Sequence, residues 1–230
     1  ETQLETDRRI VRKRIQRLRD EIEALRKHRA LYRRRRSERG IPVIALVGYT
    51  NAGKSTLLNA LSDAGVLVED KLFATLDPVT RRLVLPGGKA ALLTDTVGFI
   101  QKLPPTLIAA FKATLEELAE ADLLVHVIDI ASNTAFQQAE TVEQVLGELG
   151  LAEKPRLVAL NKIDLLGGDI EPGGENKVQS YVEQIGARVR TGALISASRS
   201  WGLKRLLELI ADALETSSAR SLADRASAAP

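Results

Sequence analysis

The stretch VGYTNAGKST, residues 47–56, constrains this chain more than any other. An apolar run, IPVIALV at 41–47, ends directly on Gly48. Gly53, Lys54, Ser55 and Thr56 then lead into residues 54–61, where leucines recur at helical spacing. A buried strand that enters a glycine-rich turn and then a helix leaves several backbone N–H groups unpartnered at the helix start. Glycine lets that backbone wrap an anion closely, and the helix N-terminus favours negative charge. The spacing Gly48-x-x-x-x-Gly53-Lys54-Ser55 therefore predicts a phosphate cradle over Gly48, Tyr49, Thr50, Asn51, Ala52, Gly53, Lys54, Ser55 and Thr56. Lys54 is expected to reach the β- and γ-phosphates, and the Ser55 hydroxyl to bind Mg²⁺. The competing reading, a glycine turn with a surface lysine, does not account for the strand before it or the helix after it.

Beyond this loop the sequence alternates between strand and helix patterns. Strands are expected at 41–47, 82–85, 90–94, 123–130, 156–160 and 188–195, and helices at 54–61, 106–121, 135–149, 177–185 and 203–214. Pro86-Gly87-Gly88 marks a hairpin between the second and third strands. Such alternation gives an α/β fold, a mostly parallel six-stranded sheet covered on both faces. Ligands then bind beyond the carboxyl ends of the strands. Residues 41–215 are read as this domain. Residues 216–230, rich in Ser and Ala, are expected to form a flexible tail.

Asn161-Lys162-Ile163-Asp164 follows a strand and indicates which nucleotide the cradle holds. A carboxylate there accepts two hydrogen bonds from guanine N1–H and the 2-amino group. Adenine offers neither donor and would leave Asp164 desolvated and unpaired. GTP is thereby preferred to ATP. Asp95-Thr96-Val97-Gly98 ends another strand. Asp95 is suited to hold Mg²⁺ through water, and Gly98 to offer its N–H to a γ-phosphate. Ser196-Ala197-Ser198 follows the last strand, where backbone N–H groups can support the base.

Charge is unevenly distributed. Residues 1–40 hold 15 Lys and Arg against 7 Asp and Glu, whereas the remainder holds 18 against 23. Residues 1–36 contain neither Gly nor Pro, and Leu4, Val11, Leu18, Leu25 and Tyr32 recur every seven residues, with Ile15 and Ile22 between them. This predicts a long basic helix with a coiled-coil seam over 1–40, broken by Arg8 and Arg29 and stopped by Gly40 and Pro42. Such a seam needs a partner helix, from another chain or from a segment upstream. The run Arg33–Arg36 fits either a solvated helix end or a contact with RNA phosphates. With no cysteine, disulfides and thiolate metal sites are excluded. No apolar run approaches the roughly 20 residues of a membrane span, so a cytoplasmic protein is expected. The chain starts at Glu1 and lacks methionine, which suggests a piece of a longer protein.

Together these motifs resemble the full set of a translation-factor-class GTPase. More narrowly, ETQLETDRR at 1–9, GYTNAGKST at 48–56, LFATLDP at 72–78, DTVGFI at 95–100 and AAFKATLEE at 109–117 resemble the HflX family of ribosome-associated GTPases. The likeness covers residues 1 to about 166, and the rest only through Ser196-Ala197-Ser198. It implies a P-loop G domain, GTP hydrolysis, association with the large ribosomal subunit and its rRNA, and ribosome dissociation or rescue. It also implies that residues 1–40 are the second helix of a helical pair, and that the first helix and an N-terminal domain lie upstream. A threonine that meets Mg²⁺ only when a γ-phosphate is present is expected at Thr75 or Thr80. The match of LFATLDP to the family selects Thr75, with Phe73 in the same loop. Release of that threonine would disorder the loop, which makes it an order–disorder switch.

Lys54 and Gly98 are the expected catalytic contributors. The residue after Gly98 is Phe99, where Ras-type enzymes place a water-orienting glutamine. Slow intrinsic hydrolysis, stimulated by a partner, follows. Asn51 is a candidate for helping to bind K⁺. His126 is read as a core residue, and Trp201 as a packing anchor. A monomeric, ribosome-binding GTP switch is the leading function. A non-ribosomal switch whose arm binds proteins is the alternative, and a small-molecule kinase is disfavoured by the 161–164 and 95–98 motifs.

Overall fold

The computed structural model describes Arg14, Gln16, Arg17 and residues 40–62, 79–96, 98–99, 118–166 and 189–227. The chain divides into two compact units, Glu1–Ile41 and Pro42–Pro230. Of the expected basic helix, Arg14, Gln16 and Arg17 are described and are helical; the heptad seam lies outside the described residues.

In the second unit the elements are β1 (Val43–Val47), α1 (Lys54–Ser62), β2 (Val79–Val84), β3 (Ala90–Asp95), β4 (Leu123–Asp129), α2 (Ala135–Glu148), β5 (Arg156–Asn161), a 3₁₀ turn (Ile163–Leu165), β6 (Val189–Leu194) and α3 (Leu203–Ser227). The sheet order is β2-β3-β1-β4-β5-β6. Only the β2–β3 pair is antiparallel, joined by the expected turn at Pro86-Gly87-Gly88; the other pairs are parallel. The expected helices at 106–121 and 177–185 lie largely or wholly outside the described residues.

Strand β1 shows why the sheet is covered on both faces. Side chains alternate in a strand, so Ile44 and Leu46 join Leu57, Leu58, Leu206 and Ile210 on one side. Ala45 and Val47 join Leu118, Leu124, Val142 and Leu146 on the other. A strand buried twice reads as a continuous apolar run, as 41–47 does.

The end of the chain takes regular structure. Residues 216–227, read as a flexible tail, continue α3 as helix. The Ala, Leu and Arg residues of this stretch are strong helix formers, and extending an existing helix avoids the cost of a new nucleus. Lys89, in the β2–β3 turn, reaches this helix through an exposed ion pair with Glu215 at 2.7 Å.

His126 is buried as expected, with Nδ1 3.2 Å from Glu143 Oε1. Glu143 also pairs with the fully buried Arg156. Arg156 Nη2 reaches the Leu151 carbonyl at 3.1 Å and the Ala152 carbonyl at 2.5 Å, and Nε the Lys154 carbonyl at 3.3 Å. Removing a guanidinium so placed leaves the partly exposed Glu143 with His126 alone and takes a donor from the Leu151, Ala152 and Lys154 carbonyls. Arg156→Ala is therefore expected to lower unfolding free energy by about 3–5 kcal/mol, read as a reduced midpoint in urea denaturation.

Candidate nucleotide-binding site

The loops that follow β1, β3, β5 and β6 meet at the carboxyl end of the parallel strands. The loop after β1 is the glycine-rich stretch. Its Lys54 is buried, and Nζ donates to the Gly48 carbonyl at 3.2 Å and the Tyr49 carbonyl at 3.0 Å. Burial lowers the Lys54 pKa to about 8, and the negative charge of Asp95 opposes this in part. The ammonium is thus held inside the loop, where an incoming anion would restore its preference for the charged form.

Ser55 begins the first turn of α1 and donates its hydroxyl to Asp95 Oδ2 at 2.6 Å. Two hard oxygen donors, one hydroxyl and one buried carboxylate, suit Mg²⁺, which keeps several waters and takes few protein ligands. Thr56 follows, half-buried. Asn51 is exposed with φ +59°, so it forms part of the turn rather than of its floor.

The loop after β3 is bonded directly to this cradle. Phe99 N–H donates to the Gly48 carbonyl at 3.1 Å, and Thr50 N–H donates to the Phe99 carbonyl at 2.8 Å. A Cβ on Gly98 would lie 2.7 Å from Thr50 Cα and 3.1 Å from Lys54 Nζ. Only glycine permits that approach. The Phe99 ring is buried with Ala45, Val47 and Leu118. It is a core residue, so neither its chemistry nor its placement can orient a water molecule. Thr96 braces the same loop by donating to the Leu46 carbonyl at 2.6 Å. Thr80 lies in β2 with Oγ1 2.9 Å from Thr94 Oγ1. Phe73 and Thr75 lie outside the described residues.

On the opposite side, Asn161 ties three loops together. Its Nδ2 donates to the Ala52 carbonyl at 2.9 Å, and its Oδ1 accepts from Ala197 N–H at 3.0 Å. A Cβ on Gly53 would lie 2.3 Å from that Nδ2. Gly53 is therefore required by packing as well as by phosphate access. The Ala197 N–H, expected to support a base, is engaged here by Asn161, and the Ser196 N–H by the Trp201 carbonyl at 3.1 Å. Lys162 has φ +68°, and its ammonium lies 2.8 Å from Asp129 Oδ2. Asp129 was not singled out from sequence. Its position at the end of β4, opposite Asn161 in register, was the available signal. Asp164 Oδ1 is buried with no hydrogen-bond partner, and Oδ2 receives only a long 3.4 Å contact from Ser198. A desolvated carboxylate oxygen left open is an acceptor awaiting a donor pair. Trp201, expected as a packing anchor, is 47% exposed. Its backbone, not its ring, anchors the loop.

A strand–glycine loop–helix cradle, a carboxylate aligned with the loop serine and an aspartate with an open, buried oxygen define a P-loop G domain. The family model described as "50S ribosome-binding GTPase" matches residues 43–162, and the chain belongs to that family. Its relatives there are HflX GTPases. The chain is 54% identical over 210 residues to the GTPase HflX of Caldanaerobacter subterraneus subsp. tengcongensis, covering 91% of this chain and 45% of that protein. It is 46% identical over 193 residues to the GTPase HflX of Escherichia coli, covering 84% and 45%. The chain thus spans about half the length of these relatives. Among solved structures, a GTP-binding protein of Sulfolobus solfataricus in complex with GDP is 30% identical, with TM-score 0.61 over 83% of this chain and 58% of that one.

Two outcomes are expected of this geometry. Asp164→Asn loses the acceptor pair for guanine, so the preference for GDP over ADP falls by about 1–3 kcal/mol, measured by competition against a fluorescent GDP. An anion beside Lys54 raises its pKa above about 8, so nucleotide binding takes up a proton near pH 8 and weakens as pH rises further. Calorimetry at pH 8 in two buffers of different ionisation enthalpy reads that proton directly.

Proposed function

We propose that the chain is the nucleotide-driven part of a GTP switch that hydrolyses GTP to GDP and phosphate while acting on the large ribosomal subunit. The observation that carries the reading is the open, buried Asp164 oxygen tied through Asn161 to the cradle of Lys54 and Ser55. Guanine selection and phosphate binding thereby share one rigid frame. The family description and the HflX relatives support the ribosomal partner.

In this reading the Gly48–Thr56 backbone wraps the phosphates, and Lys54 leaves its carbonyl partners for the β- and γ-oxygens. Asp164 receives guanine N1–H and the 2-amino group, with Lys162 beside the base, held there by Asp129. Ser55 and, through water, Asp95 would hold Mg²⁺, which would supply charge neutralisation at the phosphate oxygens. Gly98 offers its N–H to the γ-phosphate. Thr75 and Phe73 form the loop that orders with GTP and releases with GDP. Asn51 is the candidate K⁺ contact. The protein acts as a cytoplasmic monomer, and the basic residues 1–40 meet rRNA. Among the described residues no helix is long and apolar enough to cross a membrane. Dissociation or rescue of ribosomes is the proposed outcome.

Because Phe99 is buried and supplies no base, the isolated protein is expected to turn over slowly, and purified large subunits to raise kcat by at least about tenfold. Phosphate release with and without large subunits measures this. Unchanged turnover at saturating subunits would remove the ribosomal part of the proposal, and absence of any GTP cleavage would remove the rest.

A further inference from the structure

Trp201 is the chain's single tryptophan, and its ring is about half exposed. Its backbone is clamped from both sides. Trp201 N–H donates to the Ser196 carbonyl at 3.0 Å, and the Ser196 N–H returns the bond at 3.1 Å. Within this loop Arg199 N–H donates to Ser196 Oγ at 3.2 Å. Ser200, at φ +57°, turns the chain inside the loop. A Cβ on Gly202 would meet the Leu194 carbonyl at 2.1 Å, so the loop lies tight against the end of β6. An aromatic ring on so fixed a backbone loses little freedom when something stacks on it.

The charged neighbours of the ring along the chain are cationic. Between Ser196 and Leu207 there are Arg199, Lys204 and Arg205 and no carboxylate. All three cations are exposed; Arg205 pairs with Glu208 at 3.5 Å, and Asp164 reaches the loop through its 3.4 Å contact with Ser198. The remainder of the chain after residue 40 carries more acid than base, 23 against 18, so this cluster runs against the charge of its own domain. The positive end of α3 adds to it. A ring meant for a protein core would be covered, and a ring meant for an apolar partner would have apolar neighbours.

From this juxtaposition we infer that Trp201, with Arg199, Lys204 and Arg205, is a stacking platform for an unpaired RNA base, the three cations taking the flanking phosphates. Every base offers a π-face to an aromatic ring, and cations beside it track the backbone. The inference rests on the proposed function only for which RNA is met; the chemistry of the face stands apart from it.

The test uses the full chain and a short unstructured oligoadenylate. Tryptophan emission reports Trp201 alone, and anisotropy of an end-labelled oligonucleotide reports binding anywhere. RNA binding is expected to quench the emission. Joint replacement Arg199→Ala, Lys204→Ala and Arg205→Ala is expected to weaken the quench midpoint by about tenfold or more and to lower the slope of log affinity against log salt by about 2. Trp201→Leu is expected to weaken binding about tenfold, and Trp201→Tyr to retain most of it. GDP binding measured on each variant confirms that the domain is folded. Emission unchanged at RNA saturation, or a quench midpoint unmoved by the triple replacement, would overturn the platform and leave RNA binding to other basic residues such as those of 1–40. Stimulation by large subunits is scored separately, so failure of the ribosomal reading is distinguishable from failure of this face.

Discussion

The side-chain amide of Asn161 donates to the Ala52 carbonyl and accepts from the Ala197 N–H, and the rest of the site depends on that pair of bonds. A carboxamide has one donor end and one acceptor end, so it can join two backbones of opposite polarity in a fixed orientation. Here it joins the phosphate cradle to the loop after the last strand. Asp164, three residues on, lies in the loop that this amide fixes, with one buried oxygen open. A lone carbonyl or hydroxyl in that position would hold one loop and free the other.

The cradle itself is maintained under electrostatic tension. Lys54 is buried, which disfavours its charge, and Asp95 opposes that in part. Its ammonium meanwhile bonds to the two carbonyls that precede Asn51 in the loop. Those bonds hold the cation within the loop. Phosphate oxygens are better acceptors than neutral carbonyls, because charge-assisted hydrogen bonds are roughly twice as strong. The exchange therefore favours nucleotide without a large rearrangement of the lysine.

Phe99 and Trp201 show how one residue type can be used in opposite ways. Phe99 follows a glycine packed on the cradle, and its ring completes the core beneath it. That burial takes the position out of chemistry. Trp201 lies at the end of a backbone bridge that needs no side chain, which leaves its ring to the surface. Ring area alone would have buried both; the direction of the chain decided otherwise.

Much of the fold and site was legible beforehand because it depends on local spacing. Strand runs bounded by glycine, the Gly48-to-Ser55 interval and the four residues from Asn161 to Asp164 are short-range patterns, and short-range patterns follow from backbone geometry alone. Sequence by itself determined the six-strand alternation and the glycine loop between strand and helix, and it marked Asp164 as the candidate acceptor for guanine. It did not indicate the helix over residues 216–227, because a Ser- and Ala-rich stretch has no strong preference until a preceding helix supplies the nucleus. Only the tertiary structure decided that Gly53 must accommodate Asn161, that Asp129 holds Lys162, and that Trp201 faces outward. Each of these is a contact between segments distant in the chain or a matter of which way a loop turns, and one-dimensional spacing carries neither.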